Sequence, residues 1–312
     1  MDKSEILALR RAVLEKEFSR MNDRQRQAVF SIGGPLLILA GAGSGKTTVL
    51  INRIANILRY GNAYNSTFIQ DELDEEDLAA CRAYLDGGEP LPEETRRHLS
   101  VSACLPWKIM AITFTNKAAG ELKDRLCAML GAEGNDIWAS TFPSTCARIL
   151  RRDGERLGYS SHFTIYDTDD QRRLMKNILK ELDVSEKNMP PKAVLNEISR
   201  AKDSLITPEE YVKPAGDDCR MKIVSRAYKI YQQRLRNADA MDFDDLICKT
   251  VELFRACPDV LEYYQNRFKY LMVDEYQDTN HAQYTFVRLL AEKHQNLCVV
   301  GDDDQSIDKF RG

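Results

Sequence analysis

Apolar and polar positions along this chain follow two periods. Residues 36–39, 109–112, 270–273 and 297–300 are continuous apolar runs of four. Such runs are too short for helices and predict buried strands. A further strand is expected just ahead of Thr141. Between these runs the apolar positions shift to helical spacing. Ile6, Leu9, Val13 and Phe18 predict an amphipathic helix over 4–20, and residues 46–59 read as another. Ala118, Leu122, Leu126 and Met129 continue a third from Asn116. Asn22 or Asp23 supplies a cap for a helix ahead of the first strand. Strands followed by helices predict an α/β fold with a parallel central sheet. Helical segments at 168–182, 191–202 and 218–237, with no strong strand beyond Phe163–Tyr166, predict something different for residues 148–236. That stretch is expected to be an all-helical subdomain inserted into the α/β unit, to which residues 240–247 return.

Composition changes this picture in three places. Hydrophobic residues make up 43% and charged residues 29%, enough for a real core. The net charge of −4 argues against wholesale electrostatic binding of nucleic acid, yet it is unevenly spread. Residues 148–236 carry 19 Lys and Arg against 14 Asp and Glu, a mildly basic surface suited to a phosphate backbone. Between Asp71 and Glu94 there are ten acids and one base, Arg82, with Gly87, Gly88, Pro90 and Pro92 as punctuation. Residues 61–107 therefore read as an acidic surface insertion, helical around Glu75–Leu85. The eight cysteines form no C-x-x-C pair, and no run approaches a membrane span or a signal peptide. The expectation is a cytoplasmic protein with reduced thiols and no membrane partner.

The chemistry concentrates at strand ends. After the first run comes AGAGSGKTT, residues 40–48. Gly41, Gly43 and Gly45 let the backbone wrap an anion, and the following helix offers its N-terminus. Lys46 would reach the β- and γ-phosphates, and the Thr47 hydroxyl would ligate Mg²⁺. Upstream, the Gln25 amide both donates and accepts, which suits the edge of adenine. The 270–273 run ends in Asp274 and Glu275. Asp274 is expected in the Mg²⁺ shell and Glu275 as general base for the attacking water. Gln305, after the last strand, is placed to contact the γ-phosphate. Phe114, in the strand-to-helix loop at 113–116, could be a core residue, the usual fate of a Phe, or could present its ring to a nucleic-acid base.

The motifs MNDRQRQAV, AGAGSGKTT, TFTNKAA, TFPSTCARIL, AMDFDDL, VDEYQDTN and VGDDDQSI stand in this order. In kind and order they resemble the first half of a UvrD/Rep-type superfamily 1 DNA helicase, from Met21 onward except for the acidic insertion. The resemblance implies a RecA-like P-loop NTPase domain, the first of two motor domains, in two segments, residues 1–146 and 240–312, with residues 147–239 as its helical insertion. It implies ATP and Mg²⁺ as cofactors and 3′ to 5′ translocation on single-stranded DNA. Gln25 would read adenine, and Ala40, Gly41, Ala42, Gly43, Ser44, Gly45, Lys46, Thr47 and Thr48 would hold the triphosphate. Asp274 and Glu275 would serve metal and catalysis, and Gln305 would couple nucleotide state to DNA. Phe114, Thr115, Asn116, Thr141, Phe142, Phe310 and Arg311 would line the single-strand track. Two positions depart from the family pattern: Pro143 stands where a histidine is usual, and Asp308 where an aromatic is usual. Both would weaken the track and leave the nucleotide site intact. The second motor domain, with arginines that complete the ATP site, lies outside these residues. The chain alone is therefore expected to bind Mg·ATP weakly, hydrolyse it slowly and not unwind duplex. The alternative expectation is a truncated nucleotide-binding module with a scaffold or regulatory role.

Overall fold

A computed structural model describes residues 2–41, 43, 45–211 and 218–302. Contacts divide the chain into two compact units: Met1–Ser140 with Arg267–Gln277 and Lys293–Gly312, and Thr141–Asn266 with Asp278–Glu292.

The first unit is built on a five-stranded sheet. Its strands are β1 (Leu36–Leu39), β2 (Ile109–Thr113), β3 (Trp138–Thr141), β6 (Tyr270–Val273) and β7 (Leu297–Gly301), in the order β1-β7-β6-β2-β3. β1 pairs with β7, β7 with β6, and β6 with β2, all in parallel. The expected α/β class with a parallel central sheet is what the chain forms. β2 and β6 are buried along their whole length, which is why their sequences are continuously apolar. Leu36–Leu39 is half exposed, because β1 is an edge strand with Leu37 and Leu39 facing outward.

Helices α1 (Lys3–Glu17), α2 (Asp23–Phe30), α3 (Lys46–Arg59), α4 (Glu75–Leu85), α5 (Glu93–Leu99) and α6 (Asn116–Leu130) belong to this unit. Leu50, Ile54 and Ile57 of α3 and Leu122 and Leu126 of α6 pack on Ile109, Ala111, Met272 and Val300 of the sheet. The acidic insertion is docked rather than loose. Cys81 of α4, with Leu91 and Leu99, enters a second cluster containing Val13, Leu14 and Phe30. Inside it Asp77 accepts from the Thr95 hydroxyl and pairs with His98 Nδ1, each at 2.7 Å, tying α4 to α5.

The second unit holds α7 (Phe142–Asp153), α8 (Thr168–Glu181), α9 (Pro191–Asp203), α10 (Pro208–Tyr211), α11 (Cys219–Asn237), α12 (Phe243–Ala256), α13 (Pro258–Arg267) and α14 (His281–Ala291). Among its described residues beyond Thr141 the strands are β4 (Thr164–Ile165) and β5 (Ala240–Met241), a two-residue parallel pair. Its core gathers Met175, Ile178, Val194, Ile198, Tyr228 and Tyr231. The sequence places a boundary at 239/240, where a motif begins. By contact, residues 240–266 group with the helical unit, because α12 packs on α7, α9 and α14.

Candidate functional site

The carboxyl ends of β1, β6 and β7 meet at one edge of the sheet, where ligands of open α/β sheets bind. At the end of β1 the Ala40 N–H donates to Gly301 O at 3.2 Å, continuing the ladder. The chain then turns through Gly43 and Gly45, at φ +76° and +78°. Side chains rarely adopt that region, so glycine is what allows the turn. Gly45 is the N-cap of α3 and makes no side-chain cap hydrogen bond. Six other helices close their first turn with a reciprocal capping box. The α3 N-terminus thus presents backbone N–H groups and the positive end of its dipole to a ligand.

Lys46 begins α3, and its Nζ lies 3.6 Å from Asp302 Oδ2, just beyond β7. Asp274 follows β6; its N–H donates to Ile112 O at 3.0 Å. Burial raises the Asp274 carboxyl above the ordinary carboxylate range. The Glu275 N–H, donated to Asp274 Oδ1 at 2.9 Å, opposes that rise; the Glu275 charge adds to it, and the Lys46 ammonium lowers it. Lys46 and Asp274 are therefore within electrostatic reach of one another. Glu275 has φ +52°. For a non-glycine residue that conformation costs about 1–3 kcal/mol, and such strain clusters at functional sites. Glu275 Oε2 accepts from Gln277 Nε2 at 2.5 Å, and Gln277 Oε1 accepts from the Asp302 N–H at 3.1 Å.

Gln25 lies in the first turn of α2, in a capping box with Asn22. Its Oε1 accepts from Asn22 N–H at 3.0 Å. A Cβ placed on Gly45 would stand 3.5 Å from Gln25 Nε2, so the amide reaches the glycine turn. The carboxyl end of α2 is held by α3. Arg53 donates to the carbonyls of Ala28 at 2.7 Å, Ile32 at 3.2 Å and Ser31, and Asn56 Nδ2 donates to Val29 O at 3.0 Å. A cavity of about 450 Å³ opens between α2 and β1, lined by Gln25, Leu37, Leu39, Lys46 and Val49 among others. A cavity of similar size, about 420 Å³, lies in the helical unit between Tyr228 and Val251. The first carries the phosphate-binding features and the second does not, so chemistry rather than volume separates them.

Thr47 is half-buried on the first turn of α3, and the Thr48 hydroxyl accepts from Arg125 Nη2 at 2.7 Å. Magnesium takes one or two protein carboxylates and completes its shell with phosphate and water. One hydroxyl and one carboxylate, Thr47 and Asp274, fit that donor set. At the end of β2, Thr115 caps α6 by accepting from Ala118 N–H at 3.1 Å. Thr115 and Asn116 are exposed and Phe114 is half-buried.

Phe142 requires a correction. Its ring is buried, edge-on to Phe286 with centroids 6.3 Å apart, in the core of the helical unit. It cannot stack on a base in this conformation. Thr141 is also buried, as the cap of α7, accepting from Ser144 N–H at 3.3 Å. Pro143 falls in the first turn of that helix, where a missing N–H costs nothing. Ala42, Ser44, Gln305, Asp308, Phe310 and Arg311 lie outside the described residues. Asp302, Gln277 and Arg53 are the site residues that the sequence reading did not pick out.

The chain matches the family described as UvrD/REP helicase N-terminal domain over residues 21–69 and 91–312. It belongs to the UvrD/REP helicase family. The gap in that match, residues 70–90, contains α4 of the acidic insertion. Among similar proteins are those named ATP-dependent DNA helicase PcrA. That of Bacillus subtilis (strain 168) is 45% identical over 294 residues, which is 94% of this chain and 34% of the relative. Those of Staphylococcus epidermidis (strain ATCC 12228 / FDA PCI 1200) and Leuconostoc citreum are 46% and 44% identical over 292 and 293 residues, with the same coverage. The chain thus spans about a third of the length of the curated UvrD/REP relatives it matches. No helix among the described residues is long and apolar enough to cross a membrane.

Proposed function

We propose that this chain is the nucleotide-binding part of an ATP-dependent DNA helicase that moves 3′ to 5′ along single-stranded DNA. The observation that supports this most is the meeting of Lys46, Asp302, Asp274 and Glu275 at the ends of β1, β6 and β7. In this reading residues 40–48 wrap the triphosphate, with Lys46 on the β- and γ-phosphates and Gln25 reading the adenine edge. Thr47 and Asp274 hold Mg²⁺, which when bound neutralises charge on the phosphates. Glu275 accepts a proton from the attacking water, and its orientation is fixed by Gln277 and by the bond of its N–H to Asp274. Gln305 reports the γ-phosphate. Phe114, Thr115 and Asn116 meet the single strand at the end of β2. Residues 1–146 and 240–312 form the RecA-like domain by motif, with 147–239 inserted.

A polypeptide of these 312 residues is expected to bind Mg·ATP weakly, to turn it over slowly and not to unwind duplex. Phosphoryl transfer depends on cationic groups around the transferring phosphate, and arginines supplied from elsewhere are worth orders of magnitude in rate. The test is ATP turnover with and without single-stranded DNA, for the chain and for the complete product of its gene. Stimulation of the complete gene product by DNA, lost in Lys46→Ala, supports the reading. ATP binding with no response to DNA in either protein would replace it with a regulatory nucleotide-binding module.

A further inference from the structure

We infer that Gln277 is a positioning residue that sets the Glu275 carboxylate according to where the Lys46 ammonium is held, an inference that rests on the nucleotide-hydrolysing reading above. Gln277 stands inside a chain of four residues, Glu275, Gln277, Asp302 and Lys46, whose Gln277–Asp302 link runs through the Asp302 backbone N–H. Its Nε2 donates to Glu275 Oε2 at 2.5 Å, and its Oε1 accepts from the Asp302 N–H at 3.1 Å. The Asp302 carboxylate lies 3.6 Å from Lys46 Nζ. One carboxamide therefore joins the strained turn after β6 to the end of β7, and through it to the lysine at the start of α3. The fit is close. A Cβ on Gly301 would meet Gln277 Oε1 at 3.3 Å, so glycine at the end of β7 leaves the carboxamide its slot.

The physical consequence follows from charge and from bonding capacity. An ammonium cannot give its best contacts to Asp302 and to a triphosphate at once, and the polyanion is the stronger competitor. When Lys46 turns to phosphate, the ammonium leaves the Asp302 carboxylate, and the charge balance at the end of β7 changes. The Asp302 N–H carries that change to Gln277 Oε1, and the rigid carboxamide passes it to Nε2. A donor fixed on Glu275 Oε2 leaves Oε1 as the oxygen that faces a water. Gln277 thus makes the aim of the base depend on nucleotide being present, while touching neither nucleotide nor water itself.

Two substitutions separate its halves. Gln277→Met keeps the length and removes both hydrogen bonds; Gln277→Glu keeps an acceptor for the Asp302 N–H and removes the donor to Glu275. The measurement is single-turnover hydrolysis of Mg·ATP with protein in excess, beside equilibrium binding of a fluorescent ATP analogue (mant-ATP). Both variants should lose about 10- to 100-fold in rate, the scale of a misplaced reacting group. Their affinity for mant-ATP should stay within about two-fold, because ground-state binding is untouched. A second readout does not need turnover. The side-chain NH₂ resonances of Gln277, assigned by their loss in Gln277→Met, should shift when Mg·ATPγS is added to the wild type. They should stay still in Asp302→Asn, which has no carboxylate for Lys46 to leave. Wild-type hydrolysis by Gln277→Met at wild-type affinity, or amide resonances that nucleotide does not move in the wild type, overturns the relay alone. A wild-type chain that binds no Mg·ATP overturns the nucleotide reading, and the relay with it.

Discussion

Replacing Lys202 by methionine removes the ammonium that contacts both carboxylates of a buried cluster in the helical unit. Lys202 Nζ lies 2.8 Å from Asp242 Oδ2 and 2.9 Å from Asp245 Oδ1, and all three residues are buried. Tyr231 OH donates to Asp242 at 2.9 Å, and Gln232 Nε2 donates to Asp245 at 2.7 Å. The same two carboxylates form the capping box that starts α12. Burial alone would lower the lysine; Asp242 and Asp245 outweigh it and hold the ammonium well above its ordinary value. Lys202→Met fits the volume but takes from two buried carboxylates the ammonium that contacts both. Breaking a buried pair on one side costs about 3–5 kcal/mol. The loss should be read from urea unfolding and from native-state hydrogen exchange of amides in α9, α11 and α12. Adding Asp245→Asn should restore part of the stability, since one of the two stranded charges is gone. The pH dependence has a definite sign. Without the ammonium, the carboxylate values in the folded state rise above those of the unfolded chain. Stability is then present below the unfolded value and lost as pH rises through the folded one, so the deficit should be smaller near about pH 4 than near about pH 8. A loss under about 1 kcal/mol, the worth of an exposed pair, with no recovery in the double variant, would refute this account of the cluster.

Burial pushes Asp244 from 3.8 up to about 6, with the Asp242 charge adding to the rise. The raised folded value means that stability is present below the unfolded value and lost as pH climbs through about 6. Asp244→Asn should therefore gain about 1–3 kcal/mol near about pH 8 and nothing below about pH 4, measured by urea unfolding at both. Phe142→Ala should cost about 3–5 kcal/mol of stability by opening the core beside Phe286. The fraction of Phe142→Ala that stays folded should bind oligo(dT) as the wild type does. Phe114→Ala should do the reverse, weakening oligo(dT) binding by the about 1–3 kcal/mol of one stacked base.

Where the sequence led to the structure, one physical constraint dominated locally. The buried strands β2 and β6 must be apolar throughout, so Ile109–Ile112 and Tyr270–Val273 were legible as strands. The turn after β1 demands glycine at Gly43 and Gly45, and so announced itself. Phe142 was misjudged because a strand-to-helix junction has two sides, and nothing in TFPSTC says which way the ring points; Phe286 and Phe254, more than 100 residues on, decide it. Asp302 was within reach of the reasoning that found Asp274, since both acids follow an apolar strand of the same sheet. Gln277 was not, because its role depends on the register that brings the end of β7 beside the turn after β6. Arg53 read as one polar position on an apolar helix, and only the packing of α2 on α3 shows three carbonyls waiting for it.

The central claim is that backbone amides after β1 and the Lys46 ammonium grip a triphosphate opposite Asp274. Isothermal titration of Mg·ATP into the wild type and Lys46→Ala tests it most directly. The account expects one site per chain, weakened at least about ten-fold in the variant, in line with the loss of a charge-assisted contact to phosphate. Equal affinity in the two proteins, or no binding to the wild type at millimolar nucleotide, would contradict it.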